Sequence, residues 1–128
     1  MNDNFAALDD LMRTEAGLLR DAFALTADRR EAMLSASLGR IRAMESRSRW
    51  TAPQAVALLR SLLTPFCGLG TARATIDLAV RRSTGTQKET LEWALFVVNL
   101  SEAIESVCGS ATGRLVGQVG QSLAVEES

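Results

Sequence analysis

Histidine and tyrosine are absent from this chain of 128 residues, and Lys88 is its only lysine. These side chains perform much of the general acid and base chemistry of proteins near neutral pH. No serine or threonine has a histidine base to activate it, and the carboxylates of Glu89, Glu92, Glu102 and Glu105 lack the histidine that would complete a di-metal site. We therefore expect no catalytic residues and no enzyme.

Cysteine is scarce as well. Cys67 and Cys108 are far apart in the sequence, and the chain has neither a Cys-x-x-Cys pair nor a histidine. This pattern indicates neither a disulfide framework nor a zinc site. We expect two buried, reduced thiols, no metal and no cofactor.

Neither sign of charge dominates the composition. The chain has 14 lysines and arginines against 15 aspartates and glutamates, for a net charge of -1. This balance excludes a strongly basic nucleic-acid binder by bulk electrostatics, although a local basic patch can still bind phosphate.

Long hydrophobic runs are also missing. The acidic start, MNDNFAALDD, differs from the positively charged start of a secretory signal. The most apolar run, Leu91 to Leu100, contains Glu92 and Asn99 and is about half of the ~20 residues that a membrane-spanning helix needs. We expect a cytoplasmic protein that makes no contact with a membrane.

The pattern of apolar and polar residues is typical of helix along almost the whole chain. Apolar side chains recur at three- and four-residue spacing, which predicts an all-α fold: one single-domain bundle of five to six helices over residues 1–128, with residues 125–128 frayed. Breaks between helices are expected near Thr26, at Arg47 to Trp50, from Pro65 to Gly70, at Gly85 and at Gly109.

The fifth predicted helix has the clearest beginning. Thr86–Glu89 matches the capping box, in which the two end side chains satisfy each other's backbone amides. Leu95 and Val98 continue an apolar stripe that Trp93 and Phe96 widen almost all round the helix. We expect this helix to be central and Leu95 and Val98 to lie in the core.

The last predicted helix contains a ladder of glycines. Gly113, Gly117 and Gly120 follow Gly109, and each interior glycine costs a helix about 1 kcal/mol relative to alanine. The opposite face is apolar and consists of Leu115, Val116, Val119 and Leu123. Both faces of this helix must pack against another part of the protein, which is difficult inside one small bundle. We therefore predict a homo-oligomer interface along this helix. The alternative is a loosely ordered C-terminal tail.

An arginine cluster precedes the third helix. It consists of Arg40, Arg42, Arg47, Arg49 and the aromatic Trp50. Guanidinium groups bind phosphate oxygens two at a time and an indole stacks on bases, so the cluster is a possible anion or nucleic-acid contact. The alternative is a solvated helix end whose arginines pair with nearby carboxylates.

Residues 54–82 partly match a helix-turn-helix. Gly70 would lie in the turn, Thr71 would cap the recognition helix, and that helix carries Arg73, Arg81 and Arg82. The first half departs from the motif because Pro65 falls where its first helix should continue.

These observations favour a non-enzymatic helical protein-binding module, of the adaptor, chaperone or inhibitor type, that acts as a homo-oligomer and binds an unidentified protein partner. Phage-encoded inhibitors and bacterial regulators belong to the same broad class. The alternative is a nucleic-acid-binding regulator with a degenerate helix-turn-helix at 54–82 and the arginine patch at 40–50.

Overall fold

The computed structural model describes residues 3–45, 49–84, 92–123 and 125 of the chain. They form five helices, which are α1 (Asp3–Ala22), α2 (Ala27–Glu45), α3 (Ala52–Thr84), α4 (Trp93–Cys108) and α5 (Ser110–Ser122). The predicted all-α bundle of five to six helices is confirmed. Among these described residues the one extended pairing is a single parallel bridge between Trp50 and Val125.

Several sequence predictions fall outside the described residues. They concern the capping box at Thr86–Glu89, the helix end at Gly85, the contribution of Arg47 to the arginine cluster and residues 126–128 of the predicted frayed tail.

α3 combines the third and fourth predicted helices. It begins at a capping box, because the Gln54 amide donates to Thr51 Oγ1 (3.3 Å) and the Thr51 amide donates to Gln54 Oε1 (3.1 Å). The prediction that Pro65 ends this helix is wrong. Helical structure continues to a break at Gly68, whose φ of 82° is accessible to glycine at little cost. Pro65 has no amide hydrogen, so one hydrogen bond to a backbone carbonyl is missing. The helix tolerates this loss for the few residues before the break.

The hydrophobic core is built around α3, which packs against both α1 and α4. α2 lies against α1, and α5 packs mainly against α4. The side chains of the core that are fully buried include those of Leu8, Met12, Leu19, Leu58, Leu59, Leu62, Leu63, Phe96, Leu100 and Ile104.

The predicted orientation of α4 is wrong. Phe96, Val97 and Leu100 face the core, whereas Leu95 is 42% exposed and Val98 is 47% exposed. This helix is apolar on nearly every side, so its hydrophobic pattern alone does not determine which side turns inward. Contacts with α3 and α5 select the buried face instead.

α3 is the one helix among the described residues that is long and apolar enough to cross a membrane, and a third of its most apolar window is buried in the fold. The core helix of a soluble protein can pass the same test of length and composition. Gly68 divides α3 into two parts of 16 residues, 52–67 and 69–84. Each part is shorter than the ~20 residues that a spanning helix needs.

Candidate functional site

The glycine face of α5 packs against α4 of the same chain. A side-chain carbon added at Gly113 would lie 2.8 Å from the carbonyl oxygen of Ser101, and one added at Gly120 would lie 2.8 Å from Val97 Cγ2. Gly117 has more room, since its nearest such neighbour is Ser101 Oγ at 3.2 Å. The two helices therefore approach so closely that Gly113 and Gly120 leave no space for a side chain.

Two hydrogen bonds use this close approach. Trp93 Nε1 donates to the Gly120 carbonyl (2.9 Å), and Ser101 Oγ donates to the Gly113 carbonyl (2.8 Å). A glycine has no side chain to shield its carbonyl, so donors on a neighbouring helix can reach it. These bonds set the register of α4 against α5 and satisfy the buried indole donor.

The opposite face of α5 is also covered within one chain. Leu115, Val116 and Val119 are fully buried, and Leu123 is buried as well. The expectation that the two faces of this helix need a second subunit is therefore wrong, because α4 and the bundle core cover them. The seven residues predicted as an oligomer interface are interior or nearly interior positions.

The arginine cluster is not a common binding surface. Trp50 is fully buried and stands edge-on to the ring of Phe5, with 5.9 Å between ring centroids, so it cannot stack on a base as predicted. Arg40 is bound to Glu15, and Arg42 Nε donates to Ser122 Oγ (3.1 Å). Arg49 is exposed.

Glu15 is the carboxylate that holds Arg40. Only 2% of its side chain is exposed, and it accepts hydrogen bonds from Arg40 Nε (2.6 Å), Arg40 Nη2 (2.7 Å) and Ser37 Oγ (2.8 Å). The guanidinium lowers the pKa of Glu15 below its usual 4.5, against the opposing effect of burial. This bidentate pair joins α1 to α2 and gives Arg40 a structural role.

The three arginines of the predicted recognition helix lie on α3. Arg73, Arg81 and Arg82 are exposed, and Arg73 and Arg81 share a face because they are eight residues apart. The predicted turn is misplaced, since the break is at Gly68 and both Gly70 and Thr71 are helical. The structure thus supports exposed arginines on one helix, without the predicted turn before it.

The outer face of α4 carries two apolar residues followed by two acidic ones. Leu95 and Val98 are one turn apart, and Glu102 and Glu105 follow each of them at seven-residue spacing, which keeps all four on one side of the helix. All four are exposed. Hydrophobic periodicity did not reveal this face because the sequence pattern placed Leu95 and Val98 inside.

A second feature that the sequence did not reveal is a cleft of about 450 Å³ between the C-terminal ends of α1 and α4, the Gly68 break of α3 and the beginning of α5. It is lined by Arg20, Phe23, Phe66, Cys67, Thr71, Val107, Cys108 and Thr112. Both cysteines have free thiols and are partly buried, whereas buried thiols were predicted. Burial and the neighbouring Cys108 thiol raise the pKa of Cys67 to about 11. The two thiols are therefore neighbours in the fold despite their separation in sequence.

Within the described ranges, no three histidine, cysteine, aspartate or glutamate side chains are grouped to hold a metal ion. No family model matches the chain, and no curated protein or solved structure matches it either.

Proposed function

We propose that this chain is a non-enzymatic, cytoplasmic protein-binding module of the adaptor, chaperone or inhibitor type, and that its first partner is a second copy of itself. The contact would use the outer face of α4, defined by Leu95, Val98, Glu102 and Glu105. The observation that carries the proposal is the exposure of Leu95 and Val98, which are neighbours on the same helix face and 42% and 47% exposed. Covering such a pair removes apolar surface from water, which stabilises the complex by roughly 25 cal/mol for each Å² that is buried.

A two-fold axis is the usual symmetry of a homodimer, and one that runs perpendicular to α4 and passes near Leu95 and Val98 would place the two α4 helices antiparallel. The apolar pairs of both copies would then meet at the axis. The acidic C-terminal half of α4 in one copy would lie over the N-terminal half of α4 in the other.

The charged side chains beside this face are close to one another within each copy. The C-terminal end of α3 lies beside the middle of α4, as shown by the hydrogen bond from Asn99 Nδ2 to Ser83 Oγ (3.0 Å), and Arg82 lines a cleft together with Glu102 of the same chain. Arg81 and Arg82 are exposed at that end of α3. The guanidinium group of Arg82 thus lies beside the acidic half of α4 in its own copy, so the proposed contact rests on the exposed apolar pair of Leu95 and Val98.

Molar mass measured by light scattering tests the proposal. We expect wild type to exceed the 13.8 kDa of one chain at tens of micromolar protein, and Leu95→Glu or Val98→Glu to return it to that mass. Leu18→Glu is the matched control, because Leu18 is a 46% exposed leucine on α1, away from this face. A monomeric wild type, or an equal effect of the Leu18 variant, would contradict self-association through α4.

A nucleic-acid-binding regulator remains the alternative, supported by the exposed arginines Arg73 and Arg81 on one face of α3. The buried Trp50 and the pairing of Arg40 with Glu15 remove two of the contacts that this function would use. We expect no specific duplex binding at physiological salt. A footprint on a defined DNA sequence that Arg73→Ala abolishes, with affinity that falls steeply as salt is added, would favour the alternative.

A further inference from the structure

Cys67 lies beside the break in α3, and Cys108 lies at the end of α4. Cys67 directly precedes Gly68, at which α3 bends, and Cys108 is the last residue of α4 and precedes Gly109. Both glycines have positive φ, 82° and 98°. The two cysteines are the only ones in the chain, and they line one cleft.

We propose that Cys67 and Cys108 form a redox modification site, at which the two thiols close a reversible intramolecular disulfide with glutathione disulfide, or a similar small disulfide, as oxidant. One cysteine thiolate attacks the oxidant, forms a mixed disulfide and releases one glutathione thiol. The second cysteine attacks the protein sulfur of that mixed disulfide, forms the Cys67–Cys108 bond and releases the second glutathione thiol. The protein loses two electrons and two protons, and one glutathione disulfide becomes two thiols.

The cleft gives the oxidant access to the sulfurs. Its volume of about 450 Å³ lies within the roughly 300–1,000 Å³ typical of small-molecule sites. The rings of Phe23 and Phe66, whose centroids are 5.2 Å apart, contribute apolar wall. Arg20 also lines the cleft and its side chain is 56% exposed, so its guanidinium is accessible to the carboxylates of a bound glutathione.

The backbone beside each sulfur can also adjust. A disulfide requires the two Cβ atoms to lie roughly 3.5–4.5 Å apart. Gly68 and Gly109 have open space around their Cα atoms and adopt conformations that other residues rarely take. Because glycine has the widest backbone freedom of any residue, the chain beside each sulfur can shift at these two positions as the disulfide closes.

The test measures the equilibrium between reduced and disulfide forms of the full chain in glutathione buffers, folded and in urea. Acid-quenched samples are read by intact mass. We expect the folded protein to lose the mass of two hydrogens as a single chain, with a disulfide-forming equilibrium constant at least about tenfold higher than in urea, because the fold holds the thiols together. Cys67→Ser and Cys108→Ser should each accept one glutathione instead.

Three results would overturn the proposal. The first is a stable glutathione adduct on folded wild type in place of the internal disulfide. The second is a covalent dimer. The third is an equilibrium constant for disulfide formation that is no higher in the folded protein than in urea. Circular dichroism of the two serine variants establishes that they are folded. Cys108 is thirteen residues from Leu95 along α4, about 20 Å by helical rise, so this result does not depend on self-association.

Discussion

Replacing Gly113 by alanine should destabilise the protein far more than the same change at Gly117. Alanine is favoured over glycine in a helix interior by about 1 kcal/mol, so each substitution begins with that gain. Its net effect then depends on what the added carbon meets on α4. At Gly117 the nearest atom is the Ser101 hydroxyl at 3.2 Å, which can shift by a few tenths of an ångström. We expect a net change between zero and about 1 kcal/mol of stabilisation.

At Gly113 the added carbon would meet the Ser101 backbone carbonyl at 2.8 Å and would overlap Glu105 Cγ. A backbone atom cannot rotate away, so α4 and α5 must separate, which also lengthens the 2.8 Å bond from Ser101 Oγ to the Gly113 carbonyl. Overpacking costs about 1–3 kcal/mol and the strained hydrogen bond about 1 kcal/mol more. We expect a net loss of about 2 kcal/mol.

Urea denaturation followed by circular dichroism measures these differences. Gly17→Ala and Gly39→Ala are matched controls, since both glycines lie inside helices and a carbon added at either meets nothing within 4 Å. Both controls should be stabilised by about 0.5–1 kcal/mol. If Gly113→Ala proves as stable as the controls, then α5 does not pack on α4 as described.

Three further predictions concern other contacts. Leu100→Ala should cost about 2–5 kcal/mol because Leu100 is fully buried, whereas Leu95→Ala should cost less than about 1 kcal/mol; equal costs in urea denaturation would refute the orientation of α4. Trp93→Phe removes the donor to the Gly120 carbonyl and should lower stability by about 1 kcal/mol in the same assay, and an unchanged midpoint would exclude that bond. The pKa of Glu15 is lowered in the folded state, so its contribution is present above pH 4.5 and is lost as the pH falls through the folded value. The stability of Glu15→Gln should thus vary less with pH in acid than that of wild type, and parallel pH profiles would contradict this.

The sequence pattern predicted that the fold is helical, but it did not predict which face of each helix is buried. Spacing of apolar residues and glycine positions predicted the all-α bundle, although they predicted two helices where the structure has α3 with a break at Gly68. They did not orient α4, because Leu95, Val98, Phe96 and Val97 form an almost continuous apolar ring and only tertiary packing decides which of them is buried.

The candidate sites show the same limit. The glycines of α5 correctly indicated that another helix packs closely against it. The local sequence does not determine whether that helix belongs to the same chain or to a second copy. The Cys67–Cys108 neighbourhood depends on how α3 and α4 pack, and the burial of Trp50 depends on contacts with distant parts of the chain such as Phe5. The one local signal for the thiols was that each cysteine directly precedes a glycine.

The central claim is that the outer face of α4 binds a second copy while the glycine face of α5 stays inside each copy. An isotope-filtered NMR experiment on a mixture of labelled and unlabelled chains tests it most directly, because it detects only contacts between copies. We predict contacts between chains at the methyl groups of Leu95 and Val98, and none at Val116 or Val119. Contacts between chains at Val116 and Val119, or their absence at Leu95 and Val98, would contradict this account.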